Sequence, residues 1–281
     1  VLHVQMPYSP ILAGRVIRMA PKSTRIVGTF HILPYNLMAV LGTRLLKVLL
    51  GSRRRIDVSF AVSPPALDFM KKDFGLDGAV LANPVDYDFF NRHNKQTDTV
   101  AGRIVFVGRF EERKGVEQLV SAYEVLSKTT ACELILCGKG PMLERLKEVN
   151  KAKNLGITMT GFVSEEDKAK YLASAELAVF PSTGGESFGI VLAEAMAAGS
   201  GVTLGGNNPG YASVLGVWPE TLFDPNDIEG FAEKLKEFIE NRDLRIKIGN
   251  SQRNAVSEYD VKKICSRLMN EAYKLTLDKK S

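Results

Sequence analysis

Short runs of aliphatic and β-branched residues alternate along the chain with longer stretches whose apolar residues recur every three or four positions. The short runs predict buried strands and the longer stretches predict amphipathic helices, so the pattern favours repeated parallel βα units. In the first part of the chain we predict strands at residues 2–5, 25–29, 57–62 and 79–82. Helices are expected between them, at residues 10–19, 35–50 and 64–74.

The alternation stops at a polar stretch, NRHNKQTDTVAG, and then resumes. We interpret this stretch as a linker between a partial N-terminal domain at residues 1–95 and a C-terminal domain at residues 96–260. The second domain contains at least five predicted strands, within RIVFVG, ELILCG, ITMTG, LAVFPS and GVTLGG. The predicted class is therefore α/β, with two Rossmann-like, doubly wound parallel-sheet domains. We expect the first domain to be truncated, because no Gly-rich turn precedes Val1.

Composition narrows the function classes. The 281 residues are 45% hydrophobic and 25% charged, as in soluble globular proteins, and no run is long enough to span a bilayer. The net charge of +5 favours anionic partners such as nucleotide phosphates or an anionic lipid surface, although a merely soluble basic protein is the alternative. No nucleic-acid motif is present, so we expect no nucleic-acid partner.

The three cysteines, Cys132, Cys137 and Cys265, do not suffice for a disulfide framework. We interpret all three as reduced residues of the core, which fits a cytoplasmic location. Histidine and cysteine do not occur at zinc spacing, so no metal is expected.

The sequence GRFEERKG at residues 108–115 follows a predicted strand and precedes a predicted helix. Open α/β sheets bind their ligands at the carboxyl ends of strands. Arg109 and Lys114 therefore suit a diphosphate, the first by bidentate bonding and the second as a point charge. A solvated run of charges is the alternative.

The sequence PSTGGESFGIVLAEAMAAG begins with a second loop of this kind. Gly184 and Gly185 permit a tight turn, and Ser187 is expected to cap the following helix. The first amides of that helix, at residues 188–190, are then donors at its positive end and form a candidate anion site.

Glu186 precedes this helix and Glu194 lies along it. Eight helical residues rise about 12 Å, whereas the two carboxyl groups of a glycosidase lie roughly 5–9.5 Å apart. The spacing argues against a hydrolytic pair. Carboxylates accept hydrogen bonds from vicinal hydroxyls, which favours one glutamate at a sugar and the other at a ribose.

A third loop, GGNNPGYASVLG at residues 205–216, contains the Gly, Asn and Pro residues of a turn that can approach a ligand closely. An ordinary connection between a strand and a helix explains it as well.

Together these stretches resemble glycosyltransferase family 4, whose members have the GT-B fold, and GGESFGIVLAEAMAAG is most similar to the phosphatidylinositol α-mannosyltransferases and their relatives. The resemblance implies two Rossmann-like domains facing a cleft, with the last helix, within residues 261–281, returning to the first domain. It implies that Arg109 and Lys114 hold the diphosphate, Glu186 the transferred sugar and Glu194 the ribose. The implied donor-binding residues are Arg109, Lys114, Glu186, Ser187, Phe188, Gly189, Ile190 and Glu194.

The first domain carries weaker likenesses to the same family. GTFH resembles the stretch that ends in a cleft-facing histidine, so His31 is a candidate for contacting the sugar or the acceptor, or else it simply ends a strand. LHVQMP resembles a His-Val-His-Glu-Pro segment in which Gln5 and Met6 replace the second His and the Glu. ANPVD at residues 82–86 resembles an Asn-Gly-Val-Asp turn with a structural role near the hinge.

The family resemblance implies a retaining, metal-independent hexosyltransferase, provided that the missing N-terminal part is supplied, and one that uses no cofactor besides its nucleotide diphosphate-sugar co-substrate. Mannose from GDP-mannose is the expected donor, with UDP-sugars next, and a lipid or glycan is the expected acceptor. The catalytic candidates are Glu186, Arg109, Lys114 and His31. Two alternatives stay open, namely a truncated, non-catalytic remnant that binds nucleotide-sugar and a GT-B-like epimerase or phosphorylase.

Residues 35–50 are strongly apolar, and Lys47, Arg53, Arg54 and Arg55 lie beside or within them. An interfacial helix on anionic lipid would have this pattern and would make the protein peripheral to the inner face of the cell membrane. Packing of the helix against its own sheet is the alternative.

Overall fold

The computed structural model describes residues 1–7, 12–33, 54–94 and 97–274. Two compact units are present. The first comprises residues 1–84, 185–188 and 261–281, and the second comprises residues 85–184 and 189–260.

The first unit is built on a parallel sheet whose strands follow chain order: β1 (Leu2–Gln5), β2 (Ile26–Phe30), β3 (Val58–Ala61) and β4 (Ala79–Val80). The four predicted strands are all present, with ends that differ by at most two residues. Helix α1 (Ala13–Met19) follows β1, and helix α2 (Pro64–Phe69), which continues as a π-helical turn at Met70–Phe74, follows β3. The predicted helix at residues 35–50 lies outside the described residues.

The two faces of this sheet are covered by different parts of the chain. On one face Val4 and Ile26 pack against Ile17 of α1. On the other, Val27 and Phe60 pack against the C-terminal helix, whose bounds are Val261–Leu268 (α11) with a π-helical extension at Met269–Lys274. Burial of one such aliphatic side chain contributes about 2 kcal/mol, so the C-terminal helix stabilises the first unit through its apolar face.

The second unit contains a parallel sheet of six strands: β5 (Val100–Val107), β6 (Glu133–Cys137), β7 (Thr158–Gly161), β8 (Ala175–Phe180), β9 (Val202–Gly206) and β10 (Leu222–Phe223). Their spatial order is β10-β9-β8-β5-β6-β7. This is the doubly wound order in which the chain starts in the middle of the sheet, proceeds to one edge and then returns to fill the other half. The order therefore reverses between β5 and β8.

Eight helices belong to the described part of the second unit. They are α3 (Tyr87–Asn94), α4 (Val116–Leu126), α5 (Leu143–Lys153), α6 (Glu165–Ser174), α7 (Ile190–Ala198), α8 (Pro209–Leu215), α9 (Ile228–Glu240) and α10 (Arg242–Val256). Helix α10 is fixed to β9 by Gln252, whose side-chain amide exchanges hydrogen bonds of 2.8 and 2.9 Å with the backbone of Thr203.

The position of helix α3 corrects the boundary between the domains, because the sequence-based division placed residues up to 95 in the first domain. In the structure it belongs to the second unit and packs on α6 and α7. The polar stretch misled the division because it begins inside α3, whose Phe90 and His93 are buried in that contact.

The cysteines are all free. Burial raises the pKa of the Cys132 and Cys137 thiols to about 11, which keeps both protonated at neutral pH. The assignment of Cys265 to the core was wrong, because its side chain is exposed on α11. Within the described ranges, no helix combines the length and the apolar character needed to cross a bilayer.

Candidate functional site

Two of the predicted loops lie at the point where the strand order of the six-stranded sheet reverses. GRFEERKG follows β5, and PSTGG follows β8, which is hydrogen-bonded to β5. The carboxyl ends of the two strands diverge into helices on opposite sides of such a sheet, and this leaves a crevice in which doubly wound proteins bind their ligands. The predicted loops therefore flank the crevice expected for this topology.

Backbone contacts hold these two loops together. The carbonyl oxygen of Arg113 accepts a hydrogen bond of 3.0 Å from the backbone amide of Thr183 and another of 3.0 Å from the hydroxyl of Ser182. Gly115, with φ of 70°, lies so close that a Cβ atom there would be 2.0 Å from the carbonyl oxygen of Pro181. Only glycine meets both requirements.

The third predicted loop joins the other two through Asn208. Its side-chain nitrogen donates to the carbonyl oxygen of Ser182 at 3.0 Å, and its side-chain oxygen accepts from the amide of Tyr211 at 3.0 Å. Asn208 thus caps the start of α8 and attaches the loop after β9 to the loop after β8. The structure therefore brings all three predicted loops together at one edge of one sheet.

Arg109 and Lys114 stand at the two ends of the first loop. The guanidinium of Arg109 is 74% exposed and lies 2.8 Å from the carboxylate of Glu111, which also contacts Arg113 at 3.4 Å. Lys114 closes the 3₁₀ turn at Glu112–Lys114 and directly precedes Gly115. Lys114 is therefore anchored beside the contact with Pro181, whereas Arg109 projects into solvent.

Helix α7 starts later than the sequence predicted. Its N-cap is Gly189, with φ of 88°, and no side chain of a described residue caps it, so the expectation that Ser187 is the cap was wrong. The left-handed conformation at Gly189 decides the start, and a Cβ atom there would lie 2.5 Å from the ring of Tyr211. The positive end of α7 is formed by the backbone amides of its first turn, of which that of Leu192 donates to the carbonyl oxygen of Gly189 at 3.0 Å.

Glu194 lies on α7 and forms an ion pair that the sequence did not reveal. Its carboxylate is 15% exposed and accepts from the Lys168 ammonium of α6 at 3.0 Å, and Lys168 also lies 2.7 Å from Glu165. Burial raises the pKa of Glu194, and the charge of Lys168 opposes that rise. The pattern KAKYLAS gave no indication of this partner, because the contact joins two helices.

A further Gly-rich loop, CGKGP after β6, was also missed. The amide of Phe110 donates to the carbonyl oxygen of Lys139 at 2.9 Å. A Cβ atom at Gly138 would lie 1.8 Å from the carbonyl oxygen of Gly108. The signal was present, since two glycines around a lysine follow a predicted strand, and the loop supports the first site loop directly.

Glu186, Ser187 and Phe188 belong to the segment that groups with the first unit. Phe188 is buried, whereas Glu186 and Ser187 are half-buried. None of the three takes part in the loop contacts after β5, β8 and β9 given above.

In the first unit, His31 directly follows β2 and lies beside Gln5, the last residue of β1. The His31 Nε2 atom donates to the Gln5 Oε1 atom at 2.5 Å. Burial lowers the pKa of His31, and a hydrogen bond with the Asn83 side chain opposes the shift. The ANPVD stretch thus contributes a side chain next to the candidate histidine, which its likeness to a structural turn did not suggest.

Two parallel-sheet units, one of them doubly wound with three joined loops at its switch point, are the components of the GT-B fold. Sucrose-phosphate synthase from Thermosynechococcus elongatus aligns with 98% of this chain and 73% of its own, with a TM-score of 0.79 and 21% identity. Anabaena HepE in complex with UDP aligns with 97% of this chain and 79% of its own, with a TM-score of 0.78 and 15% identity. These likenesses confirm the predicted fold.

The chain belongs to the family described as glycosyl transferases group 1, whose family model matches residues 89–255. The phosphatidyl-myo-inositol mannosyltransferase of Mycobacterium tuberculosis H37Rv is 30% identical over 96% of this chain and 72% of its own length. The 2-deoxystreptamine N-acetyl-D-glucosaminyltransferase of Niallia circulans is 34% identical over 57% of this chain and 42% of its own length. The predicted family is thereby confirmed.

Proposed function

We propose that this protein is a retaining hexosyltransferase that moves mannose from GDP-mannose to a lipid or glycan acceptor. The observation that carries the proposal is the junction of the loops after β5 and β8, at the reversal of strand order, in a chain of the glycosyl transferase group 1 family. The choice of mannose and of a lipid acceptor rests on the likeness to mannosyltransferases that are named for phosphatidyl-myo-inositol.

The leaving nucleotide diphosphate is assigned to Arg109, Lys114 and the amides at the start of α7. Cleavage of the bond between sugar and phosphate builds negative charge on the departing diphosphate, and fixed donors aimed at that charge lower the barrier. Lys114 and the amides of Ile190 and Val191, at a helix start that no described side chain caps, are supplied by segments that follow neighbouring strands. The proposal uses no divalent ion for this task.

The two glutamates have separate roles in the proposal. Glu194 accepts from the ribose hydroxyls, because its carboxylate keeps a 15% exposed surface while Lys168 holds it in place. Glu186, with Ser187 and the amides of Phe188 and Gly189 beside it, contacts the transferred sugar. The family resemblance assigns His31 to the sugar or the acceptor.

A thermal-shift panel of nucleoside diphosphates and their sugars tests the donor site directly. A ligand at 100 times its dissociation constant adds about 2.7 kcal/mol of stability. We expect GDP and GDP-mannose to raise the melting temperature and the Lys114→Ala variant to lose most of that rise. No response to any nucleotide would contradict the proposal.

Transfer itself requires product analysis. With GDP-mannose and a phosphatidylinositol acceptor, we expect a mannosylated product whose anomeric proton shows the α configuration of the donor. An inverted product would contradict retention. Binding of the nucleotide-sugar without turnover would favour the alternative of a non-catalytic binding protein, and a changed sugar without transfer would favour an epimerase.

A UDP-sugar is the second candidate donor. The relative named as an N-acetyl-D-glucosaminyltransferase matches this chain at 34% identity, higher than the mannosyltransferases, although over a shorter stretch. The same thermal-shift panel separates the two candidate donors. A larger rise in melting temperature with UDP-N-acetylglucosamine than with GDP-mannose would identify N-acetylglucosamine, and not mannose, as the transferred sugar.

Contact with an anionic membrane surface is the remaining part of the proposal. The apolar segment of the chain that would make this contact, residues 35–50, lies outside the described residues. The structure changes the design of its test. Arg55 donates to the carbonyl oxygens of Ile17, Ala20 and Pro21 at 3.0, 2.6 and 2.9 Å, so this guanidinium holds the end of α1. The informative variant is therefore Arg53→Ser/Arg54→Ser with Arg55 retained. If this variant and the unaltered protein co-sediment equally with anionic liposomes, membrane contact is contradicted.

A further inference from the structure

Four polar side chains lie on one face of the four-stranded sheet, at the carboxyl ends of its first two strands. Alternate residues of a strand point to the same face, so His3 shares a face with Gln5, and Thr29 shares a face with His31. The parallel register pairs Gln5 with Thr29, which places all four on the same face. Deeper on that face Val27 packs under the C-terminal helix. The polar group thus occupies the edge at which α/β sheets bind ligands.

Gln5 bridges the two imidazoles of this group. Its side-chain oxygen accepts from the Nε2 atom of His31 at 2.5 Å, and its side-chain nitrogen lies 3.2 Å from the Nε2 atom of His3. An amide oxygen only accepts and an amide nitrogen only donates. His31 must therefore carry a proton on Nε2, while the Nε2 atom of His3 must present its lone pair.

The opposite side of His3 is held by the C-terminal helix. The Nδ1 atom of His3 lies 3.0 Å from the Tyr273 hydroxyl, and the two rings meet edge to face at 84°. Since Nε2 of His3 accepts from Gln5 and faces the Thr29 hydroxyl at 2.8 Å, the proton of a neutral His3 resides on Nδ1 and is donated to Tyr273. The orientation of Gln5 is thus supported from a residue that lies 270 positions away from His3.

Both imidazoles favour the neutral form. Burial lowers the pKa of His3, and the nearby charge of a protonated His31 lowers it further. Burial also lowers the pKa of His31, and the hydrogen bond with the Asn83 side chain, which favours the protonated ring, opposes that shift. A neutral imidazole has one N–H group, and the hydrogen bond to one nitrogen decides which nitrogen carries it.

We propose that Gln5 is a positioning residue that fixes His31 as its Nε2–H tautomer, with the lone pair on Nδ1, and that His3 and Tyr273 hold Gln5 in the required orientation. The Nε2 proton of a neutral His31 is assigned from its contact with Gln5, and Asn83 is the competing partner, because its hydrogen bond raises the pKa of His31. Only the consequence for transfer rests on the proposed function of His31. A glutamine suits this place because a single amide donates to one ring and accepts from the other.

The test is the tautomer of His31 in the 281-residue chain, read from long-range ¹H–¹⁵N correlations of the imidazole nitrogens. The chain has three histidines, so His31→Asn and His3→Asn variants together assign the signals of all three. We expect the Nε2–H pattern for His31 and the Nδ1–H pattern for His3 above their pKa values. An Nδ1–H pattern for His31 in the unaltered protein would overturn the proposal.

Two variants of Gln5 sharpen the test. Gln5→Met has a similar shape but no amide, so we expect His31 to become a mixture of tautomers. Gln5→Glu keeps an acceptor oxygen and adds a negative charge, so His31 should keep its Nε2 proton and its pKa should rise by about one pH unit. If the Gln5→Met variant does not fold, the pKa of His31 in the Gln5→Glu variant tests the role of Gln5 by itself. An unchanged tautomer in Gln5→Met, or an unchanged pKa in Gln5→Glu, refutes the role of Gln5.

Kinetics separate a positioning role from a structural one. With GDP-mannose and phosphatidylinositol, Gln5→Met should lower kcat about tenfold, the equivalent of one misplaced hydrogen bond, and leave the donor KM unchanged. An altered tautomer with normal kcat would remove the catalytic part of the proposal. If the unaltered protein transfers no sugar, the proposed function fails, and the tautomer measurements still decide the role of Gln5.

Discussion

The six-stranded and the four-stranded sheets both carry candidate site residues after their strands, but different atoms hold those residues in place. At the edge of the six-stranded sheet, the loops are joined at backbone carbonyl oxygens, which accept from a backbone amide and from the Ser182 and Asn208 side chains, and glycines such as Gly115 make the close contacts possible. At the edge of the four-stranded sheet, side chains do this work through the contacts of Gln5 with His3 and His31. A backbone-built site is sensitive to an added Cβ atom, whereas a side-chain-built site is sensitive to protonation.

The largest expected effect is the loss of a proposed diphosphate contact at the backbone-built edge. Lys114→Ala and Arg109→Ala should each lower the transfer rate about 10²- to 10³-fold, about 2.7–4 kcal/mol, as for the removal of one transition-state donor. Initial rates with GDP-mannose measure this.

Arg145→Ala is the matched control for Arg109, because Arg145 is also 71% exposed and pairs with one carboxylate, that of Glu117, at 2.7 Å. We expect this control to retain its rate. Near-normal turnover in both Lys114→Ala and Arg109→Ala would contradict the assigned donor site.

Next in size is the effect of a methyl group at the junction of the loops. Gly115→Ala should lower the free energy of unfolding by about 2–4 kcal/mol, because an L-residue is strained at φ of 70° and its Cβ would collide with Pro181. Urea denaturation measures the change.

Gly156→Ala separates the two causes. Gly156 has nearly the same φ, 69°, but nothing lies within 4 Å of a Cβ atom placed there. The Gly156→Ala variant should therefore lose only the free energy of unfolding that comes from the strained backbone conformation, about 1–2 kcal/mol. Equal losses in both variants would mean that the close contact with Pro181 contributes nothing.

A smaller loss of unfolding free energy is expected at an ion pair between side chains of the six-stranded unit. Lys168→Met removes the cation that faces Glu194, and the ammonium and carboxylate are only 12% and 15% exposed. Breaking a fully buried pair costs about 3–5 kcal/mol, so we expect about 2 kcal/mol for this partly solvated one.

Lys170→Met on the same helix is the control, since its ammonium is 53% exposed and lies 3.9 Å from Glu166. Its effect should stay below about 0.5 kcal/mol. If the two variants unfold at the same urea concentration, the Lys168–Glu194 pair does not stabilise the unit.

The smallest effect is the pH dependence of the side-chain-built edge. The pKa values of His3 and His31 lie below 6.5 in the folded protein, so the unfolded chain takes up these protons first. Their contribution to stability is complete above pH 6.5 and is lost as the pH falls through 6.5 towards the folded values.

The difference in unfolding free energy between the unaltered protein and a His3→Gln/His31→Gln variant, measured across this range, isolates the contribution from that of other groups. The difference should decrease as the pH falls. A difference that is independent of pH would show that these histidines titrate alike in the folded and unfolded states.

Much of the fold was predictable because the signals are local. Strands β1 to β4 were predicted to within two residues, and the loops at residues 108–115 and 181–184 were identified from glycines and charges after apolar runs. The start of α7 was not predicted, because Ser187 is a good cap by residue type, whereas the tight packing of Gly189 on Tyr211 sets the helix start. The end of the first unit was also missed, because α3 is polar in sequence and packs on helices far along the chain.

The amino-acid sequence by itself determined the α/β class, the strands, the glycines and cations of the site loops, and the family, because each depends on residue type at short spacing. The tertiary structure alone decided which side chains meet: Lys168 with Glu194, Gln5 with both His3 and His31, and His3 with Tyr273. These contacts join residues from different strands and helices. They form only when hydrophobic burial has brought those elements together, and patterns of residues at short spacing do not predict such contacts.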